Sequence, residues 1–237
     1  MVETRCIGER FEHSQTLIPH AEQLVESHGM NFSDLDLICV SQGPGSFTGL
    51  RVGLACAKGL AMGLEIPVVG VSTFEVLLAG FVRDFSPLPS RVHLLLDAKK
   101  GEFFTQLWRP PLREKKTAWI PQPPKVLPED QISWALGANS ILVSPQLSKL
   151  RGLLAEHVIA RSAATKQSRS NPVEIHYDSK DRFPDAADLA TLGLEKFLHQ
   201  KRGDADLQPV YLRKTDAELL FKNKPRSVFR WERSASA

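Results

Sequence analysis

The sequence predicts an α/β fold, because an apolar run at residues 35–40 enters a glycine-rich turn that leads into a helix at residues 48–63. A second apolar run at residues 66–71 predicts another buried strand. In open α/β sheets, the carboxyl end of a strand and the amino end of the next helix border the crevice where ligands usually bind. The turn after residue 40 is therefore the first place to look for function.

The flanking elements follow from local signals. Leu17, Ala21 and Leu24 recur at helical spacing and Gly29 supplies a stop, which predicts an amphipathic helix over residues 13–28. A capping box that starts at Ser72 predicts a further helix to about residue 83.

Beyond residue 90 the pattern changes to a hairpin, with strands at residues 92–96 and 103–108. Asp97 caps the intervening turn or serves as a ligand, and the first alternative is favoured by composition. The proline-dense residues 110–128 are predicted to form a loop. Asp185 is expected to cap a last helix. The side chains expected to face the core from this helix are Leu189, Leu192, Phe197 and Leu198.

The glycine-rich turn does not match either common nucleotide-binding motif. A P-loop needs a lysine directly after its last glycine, but Gly49 is followed by Leu50. The dinucleotide motif needs a third glycine where Thr48 stands. The turn is therefore not predicted to cradle phosphates.

The helix after this turn carries a stripe of small residues at four-residue spacing. We define the small-residue stripe as Gly49, Gly53, Ala57 and Ala61. Four-residue spacing places side chains on one helix face, so the stripe predicts a smooth surface. It packs either on the protein's own sheet or against a helix from another chain. A membrane span is not expected, because Arg51, Lys58 and Glu65 interrupt the apolar run.

Residues 43–53 (GPGSFTGLRVG), continuing to the Ser-Thr-Phe-Glu at residues 72–75, resemble the signature of the TsaB family. Three further segments follow the family's order, at residues 13–19, 96–104 and 209–213. The resemblance is dense over the first hundred residues and weak over residues 110–185.

This resemblance implies a two-domain fold of the actin and sugar-kinase (ASKHA) type, with domains at residues 1–89 and 90–237. It also implies a non-catalytic subunit that pairs with a TsaD-type enzyme, or with a second copy of itself, through the first two helices. A TsaE-type ATPase is a further expected partner. The TsaD-type partner would bind ATP and metal and would transfer a threonylcarbamoyl group to adenosine 37 of tRNA, which this chain serves indirectly.

The resemblance places a docking surface on the first two helices and a structural loop before the second. The expected docking residues are Leu17, Ala21, Leu24, Thr48, Gly49, Val52, Gly53, Cys56 and Ala57, and the expected loop residues are Gly43, Gly45 and Ser46. No catalytic, cofactor-binding or metal-binding residue is assigned.

Members of this family open with an apolar strand, an Asp-Thr-Ser type turn and a second strand, which precede the segment matching residues 3–8. Either the start codon was assigned too late or the first domain is shortened at its N-terminus. Two other functions stay open. One is a phosphotransferase or ATPase of the same fold using Asp97 and residues 43–49; the other is a glycoprotease-like peptidase.

Composition agrees with a globular protein: 237 residues, 42% hydrophobic and 24% charged, with a net charge of +3. The sequence shows no secretory signal, so a cytoplasmic location without membrane attachment is expected. Cys39 and Cys56 are expected to be buried. His13 and His20, at seven-residue spacing, are too far apart to share a metal. Residues 213–233 are basic with interleaved aromatics, as in an RNA-contacting tail or a solvated terminus.

Overall fold

The computed structural model describes residues 3–4, 13–85, 89–110, 119–132, 141–146, 150, 176–177, 183–204 and 206–213. Single-turn 3-10 helices lie at Phe32–Asp34 and Glu129–Gln131. The described helices are α1 (His13–Glu26), α2 (Phe47–Leu64), α3 (Thr73–Asp84) and α4 (Ala186–Gln200). The described strands are β1 (Ile38–Gly43), β2 (Val68–Ser72), β3 (Val92–Lys99), β4 (Glu102–Arg109), β5 (Ile120–Pro121), β6 (Lys125–Pro128), β7 (Ile141–Val143) and β8 (His176–Tyr177).

Strands β1 and β2 pair in parallel and are joined by α2, as a crossover connection requires. The strand predicted at residues 35–40 was misplaced, since β1 begins at Ile38 and continues to Gly43. The preceding residues are held in the 3-10 turn, where the Leu35 N–H donates to the Phe32 carbonyl at 3.2 Å. Pairing begins only where the Ile38 N–H reaches the Pro67 carbonyl at 3.1 Å.

The second sheet has the strand order β5-β4-β3-β7-β8, and β6 also pairs with β4. The predicted hairpin is confirmed, because β3 and β4 pair antiparallel with Val92 opposite Trp108. Residues 110–128 were predicted to form a loop, but this is wrong in part, because β5 and β6 lie within them. Both are short strands along β4, and Pro121 and Pro128 stand at their ends, where a missing N–H is tolerated. Residues 111–118 lie outside the described residues.

The main core lies between α3 and the second sheet. Phe74, Leu77 and Phe81 on α3 are almost fully buried against apolar side chains of β3, β4 and β7. The predicted capping box starts α3: Ser72 Oγ accepts from the Phe74 N–H at 3.2 Å, and Glu75 accepts from the Ser72 N–H at 3.1 Å. The helix that carries much of the core thus starts at a locally encoded position.

Helix α4 begins at the predicted cap, where the Asp185 carboxylate accepts from the Ala187 N–H at 2.7 Å. Leu198 was wrongly expected in the core, since 63% of it is exposed. The helix packs on β1 and β2 through Gly193, and Leu198 lies about 140° further round the helix. These contacts join the two predicted domains, and the division at residue 89 stays a prediction.

Candidate functional site

The turn between β1 and α2 depends on a glycine at its first position. Gly43 has a φ of +104°, and a Cβ there would lie 2.9 Å from Leu50 Cδ1 and 3.1 Å from the Val210 carbonyl oxygen. At the end of the turn, Ser46 Oγ accepts from the Gly49 N–H at 3.3 Å and caps α2. Gly45 has room for a side chain, so the geometry requires a glycine only at the first of these positions.

The small-residue stripe divides into an open half and a buried half. Ala57 and Ala61 are 7% and 5% exposed and belong to the interior face of α2 with Leu50 and Leu54. Gly49, by contrast, is exposed, and Gly53 is half-buried. Within the described part of the chain, nothing lies within 4 Å of the position a Cβ would take at Gly53.

The predicted docking residues on α1 and α2 come together, because the two helices pack on each other. The α1 members Leu17, Ala21 and Leu24 are all half-buried. On α2, Thr48 is exposed, and Val52 and Cys56 are half-buried. Eight of the nine predicted residues therefore retain exposed surface, whereas Ala57 does not. We call these eight residues the docking face.

The glycines of α2 weaken the helix without an internal packing gain that the described residues reveal. A glycine in a helix interior costs about 1 kcal/mol relative to alanine. At Gly53 and Gly59, an added Cβ would meet open space among the described residues. The close approach that these glycines permit is therefore not used within the described chain.

A cleft of about 700 Å³ opens beside the amino end of α2. The turn at residues 44–48, the β3–β4 hairpin and residues 210–213 border it. Asp97 is engaged in the hairpin turn, since it accepts from the Lys99 N–H at 2.7 Å and pairs with the Lys99 ammonium at 3.3 Å. The turn-capping interpretation of Asp97 is therefore correct.

Residues 206–213, which we call the crossing segment, run from β2 past α2 to the hairpin. Leu207 is buried against Gly70, and the Val210 N–H donates to the Gln42 carbonyl at 2.7 Å. At the far end, Arg213 donates to the Ala98 carbonyl at 3.1 Å and pairs with Glu102 at 3.0 Å. One short segment thus contacts both sheets.

Midway along, the crossing segment meets α2 through a cluster that the sequence analysis did not identify. The Arg51 guanidinium lies 4.0 Å from the centroid of the Phe47 ring, and its Nε donates to the Tyr211 hydroxyl at 2.9 Å. The Phe47 and Tyr211 rings are 5.1 Å apart between centroids. We call these three residues the Arg51 clamp. Only the Phe47–Arg51 spacing was a local signal, because Tyr211 lies 160 residues further along the chain.

Among the residues that the structure describes, an ion pair rather than a strand covers the outer edge of β2. The Lys196 ammonium donates to the Gly70 carbonyl at 2.8 Å and to Asp204 at 2.9 Å, and the Gly70 N–H donates to Asp204 at 2.8 Å. Burial acts to raise the pKa of Asp204, but the bonds from Gly70 and Lys196 together lower it. The carboxylate therefore stays ionised and holds the edge.

Cys39 and Cys56 were expected to be buried, but both are half-buried. Burial raises the pKa of the Cys39 thiol, which favours its neutral form. Within the described residues, no group of three or more His, Cys, Asp or Glu side chains is placed to hold a metal ion. None of the described helices combines the length and the apolar character that crossing a membrane requires.

Comparisons with known proteins identify the relatives of this chain. The family model for "TsaD: tRNA N6-adenosine threonylcarbamoyltransferase" matches residues 10–109. The tRNA threonylcarbamoyladenosine biosynthesis protein TsaB of Escherichia coli (strain K12) is 27% identical over 85% of this chain and 81% of its own length. The TsaB protein of Bacillus subtilis (strain 168) is 39% identical over 41% of each chain.

A solved structure from Pseudomonas aeruginosa, described as an uncharacterized protein with similarity to peptidase YeaZ, matches with a TM-score of 0.60 and 25% identity. The match covers 85% of this chain and 84% of that one. Together with the family model, this match confirms the α/β fold of the actin and sugar-kinase type.

Proposed function

We propose that the chain, which is similar to TsaB proteins, serves tRNA threonylcarbamoyladenosine biosynthesis as a non-catalytic subunit that binds a TsaD-type enzyme. The support is the name that the relatives carry and the family-model match over residues 10–109. On this proposal the enzyme carries ATP, metal and the threonylcarbamoyl transfer to tRNA, and both proteins work in the cytoplasm.

The observation that carries the docking part of the proposal is the open half of the small-residue stripe. Gly49 and Gly53 reduce the intrinsic stability of α2, yet in the described chain no side chain packs closely over Gly53. Small residues at four-residue spacing let two helix backbones approach closely. A helix of the TsaD-type enzyme lying along this stripe accounts for the glycines.

The neighbouring side chains complete an apolar docking face. Leu17 and Leu24 on α1 and Val52 on α2 are half-buried, so each keeps apolar surface that a partner helix would remove from water. A second copy of this chain would use the same surface, so homodimer and heterodimer are expected to compete. A TsaE-type ATPase then joins the heterodimer.

The test compares two leucine substitutions on the same helix. Gly53→Leu places bulk on the docking face, while Lys58→Leu places the same side chain at an exposed position about 140° round the helix. Leucine is a better helix former than glycine and about equal to lysine, so both isolated chains should be at least as stable as the wild type. Affinity for the TsaD-type enzyme is measured by calorimetry, and complex mass by light scattering.

We expect wild type and Lys58→Leu to form a one-to-one complex, and Gly53→Leu to bind at least about tenfold more weakly, because the added side chain holds the two helices apart. The isolated chain should not hydrolyse ATP. A wild type that forms no complex would refute the docking proposal, and equal affinities for the two variants would remove α2 from the interface.

A further inference from the structure

The Arg51 clamp lies on the side of α2 away from Gly49 and Gly53, the open half of the small-residue stripe. Arg51 is two residues from both Gly49 and Gly53, and two residues turn an α-helix by about 200°. Phe47 lies one turn before Arg51, on the same side. A partner seated on the stripe therefore does not meet the clamp, and substitutions in the clamp leave the docking face chemically unchanged.

The first two turns of α2 are held in the core by side chains on one side only. Leu50 and Leu54 anchor one side in the core, while Gly49 and Gly53 contribute no side chain. The hydrogen bond that caps the helix is long, with 3.3 Å between the Gly49 nitrogen and Ser46 Oγ. Thr48, Gly49 and Val52, which belong to the docking face, stand on these turns.

The clamp adds an anchor on another side of these turns. Arg51 is held by the Phe47 ring and by the Tyr211 hydroxyl at 2.9 Å. Phe47 and Tyr211 are 40% and 41% exposed, so the cluster lies at the surface and the main core does not depend on it. Tyr211 is itself fixed by the neighbouring Val210 N–H, which donates to the Gln42 carbonyl. The amino end of α2 is thereby tied to a segment that is anchored on both sheets.

We propose that Tyr211 and Arg51 are positioning residues, which hold the amino end of α2 in the orientation that the TsaD-type partner recognises. The inference rests on the proposed function, because it concerns the same docking face. It extends that function to Arg51 and to Tyr211 of the crossing segment, which do not touch the partner.

The test uses Tyr211→Phe, which removes the hydroxyl and keeps the ring. The control is Gln208→Ala, which removes a hydrogen bond of the same segment, from Gln208 to Asp206 at 2.8 Å, that does not involve α2. Amide hydrogen exchange at residues 49–53 is measured on the free chain, and affinity is measured with the TsaD-type enzyme. Thermal unfolding is recorded for each variant.

Tyr211→Phe should speed exchange at residues 49–53 and weaken partner binding, each by about three- to tenfold, with unfolding nearly unchanged. Gln208→Ala should match the wild type in both measurements. Arg51→Lys keeps the charge but not the planar stacking group, so it should behave as Tyr211→Phe does.

Three results would overturn the inference. Unchanged exchange and affinity would show that the hydroxyl positions nothing. Faster exchange with unchanged affinity would show that the partner does not sense the clamp. Weaker affinity without faster exchange would mean that Tyr211 contacts the partner directly. If the wild type itself does not bind the TsaD-type enzyme, the proposed function fails. This result is distinct from the other three, because it is measured on the wild type and not on a variant.

Discussion

Gly193 is the position at which a single methyl group should disturb the packing of α4 on the first sheet. A Cβ there would lie 2.8 Å from the Cys39 Cβ, and still closer to the Cys39 sulfur. Both of these Cys39 atoms are held in place, because Cys39 lies in β1 and pairs opposite Val69. The substitution Gly193→Ala therefore forces helix and strand apart or shifts one of them.

Two opposing effects set the size of the change. Alanine stabilises a helix interior by about 1 kcal/mol relative to glycine. Overpacking of a close contact costs about 1–3 kcal/mol. Gly59→Ala provides the reference for the first effect alone, since its added methyl meets open space among the described residues. We expect Gly59→Ala to raise the free energy of unfolding and Gly193→Ala to fall below that variant by about 1–3 kcal/mol.

Urea unfolding followed by circular dichroism measures both variants. The double variant Gly193→Ala/Cys39→Ala removes the closest atom and leaves the Cys39 Cβ, so it should recover part of the loss attributed to contact. If Gly193→Ala is as stable as Gly59→Ala, the close contact between α4 and β1 is not a constraint and the packing argument is wrong.

Two further predictions concern polar side chains that are buried or half-buried. Burial, helped by the positive charge of Arg91, lowers the pKa of His93 to about 4, so the folded state prefers the neutral ring. The free energy of unfolding should therefore fall by about 3 kcal/mol as pH drops from about 6.5 to 4. Urea unfolding of His93→Leu should show a pH dependence without this loss. A pH dependence identical to that of the wild type would contradict the assignment to His93. Lys196→Met should destabilise the chain by about 1–2 kcal/mol, because it strips the Gly70 carbonyl and Asp204 of a charged donor. Urea midpoints equal to those of the wild type would show that solvent replaces that donor.

The features predicted from sequence are those set by neighbours in the chain. The capping box at Ser72, the cap at Asp185 and the hairpin turn at Asp97 each involve partners within three residues. Such contacts form wherever the local backbone allows them, so composition and spacing are enough to find them.

The errors arose where distant pairing decides the outcome. Strand β1 begins at Ile38 because its partner begins there, and apolar character alone had placed the start three residues earlier. Residues within 110–128 form strands because β4 offers an edge to pair with, despite their prolines.

The sequence by itself determined the α/β class, the caps, the hairpin and the family signature, because each is written in residues that are close along the chain. Only the tertiary structure decided which half of the small-residue stripe remains open, since α2 must bury Leu50, Leu54 and the two alanines on β1. It also joined Arg51 to Tyr211 across 160 residues, a contact that exists only once both sheets hold the crossing segment in place.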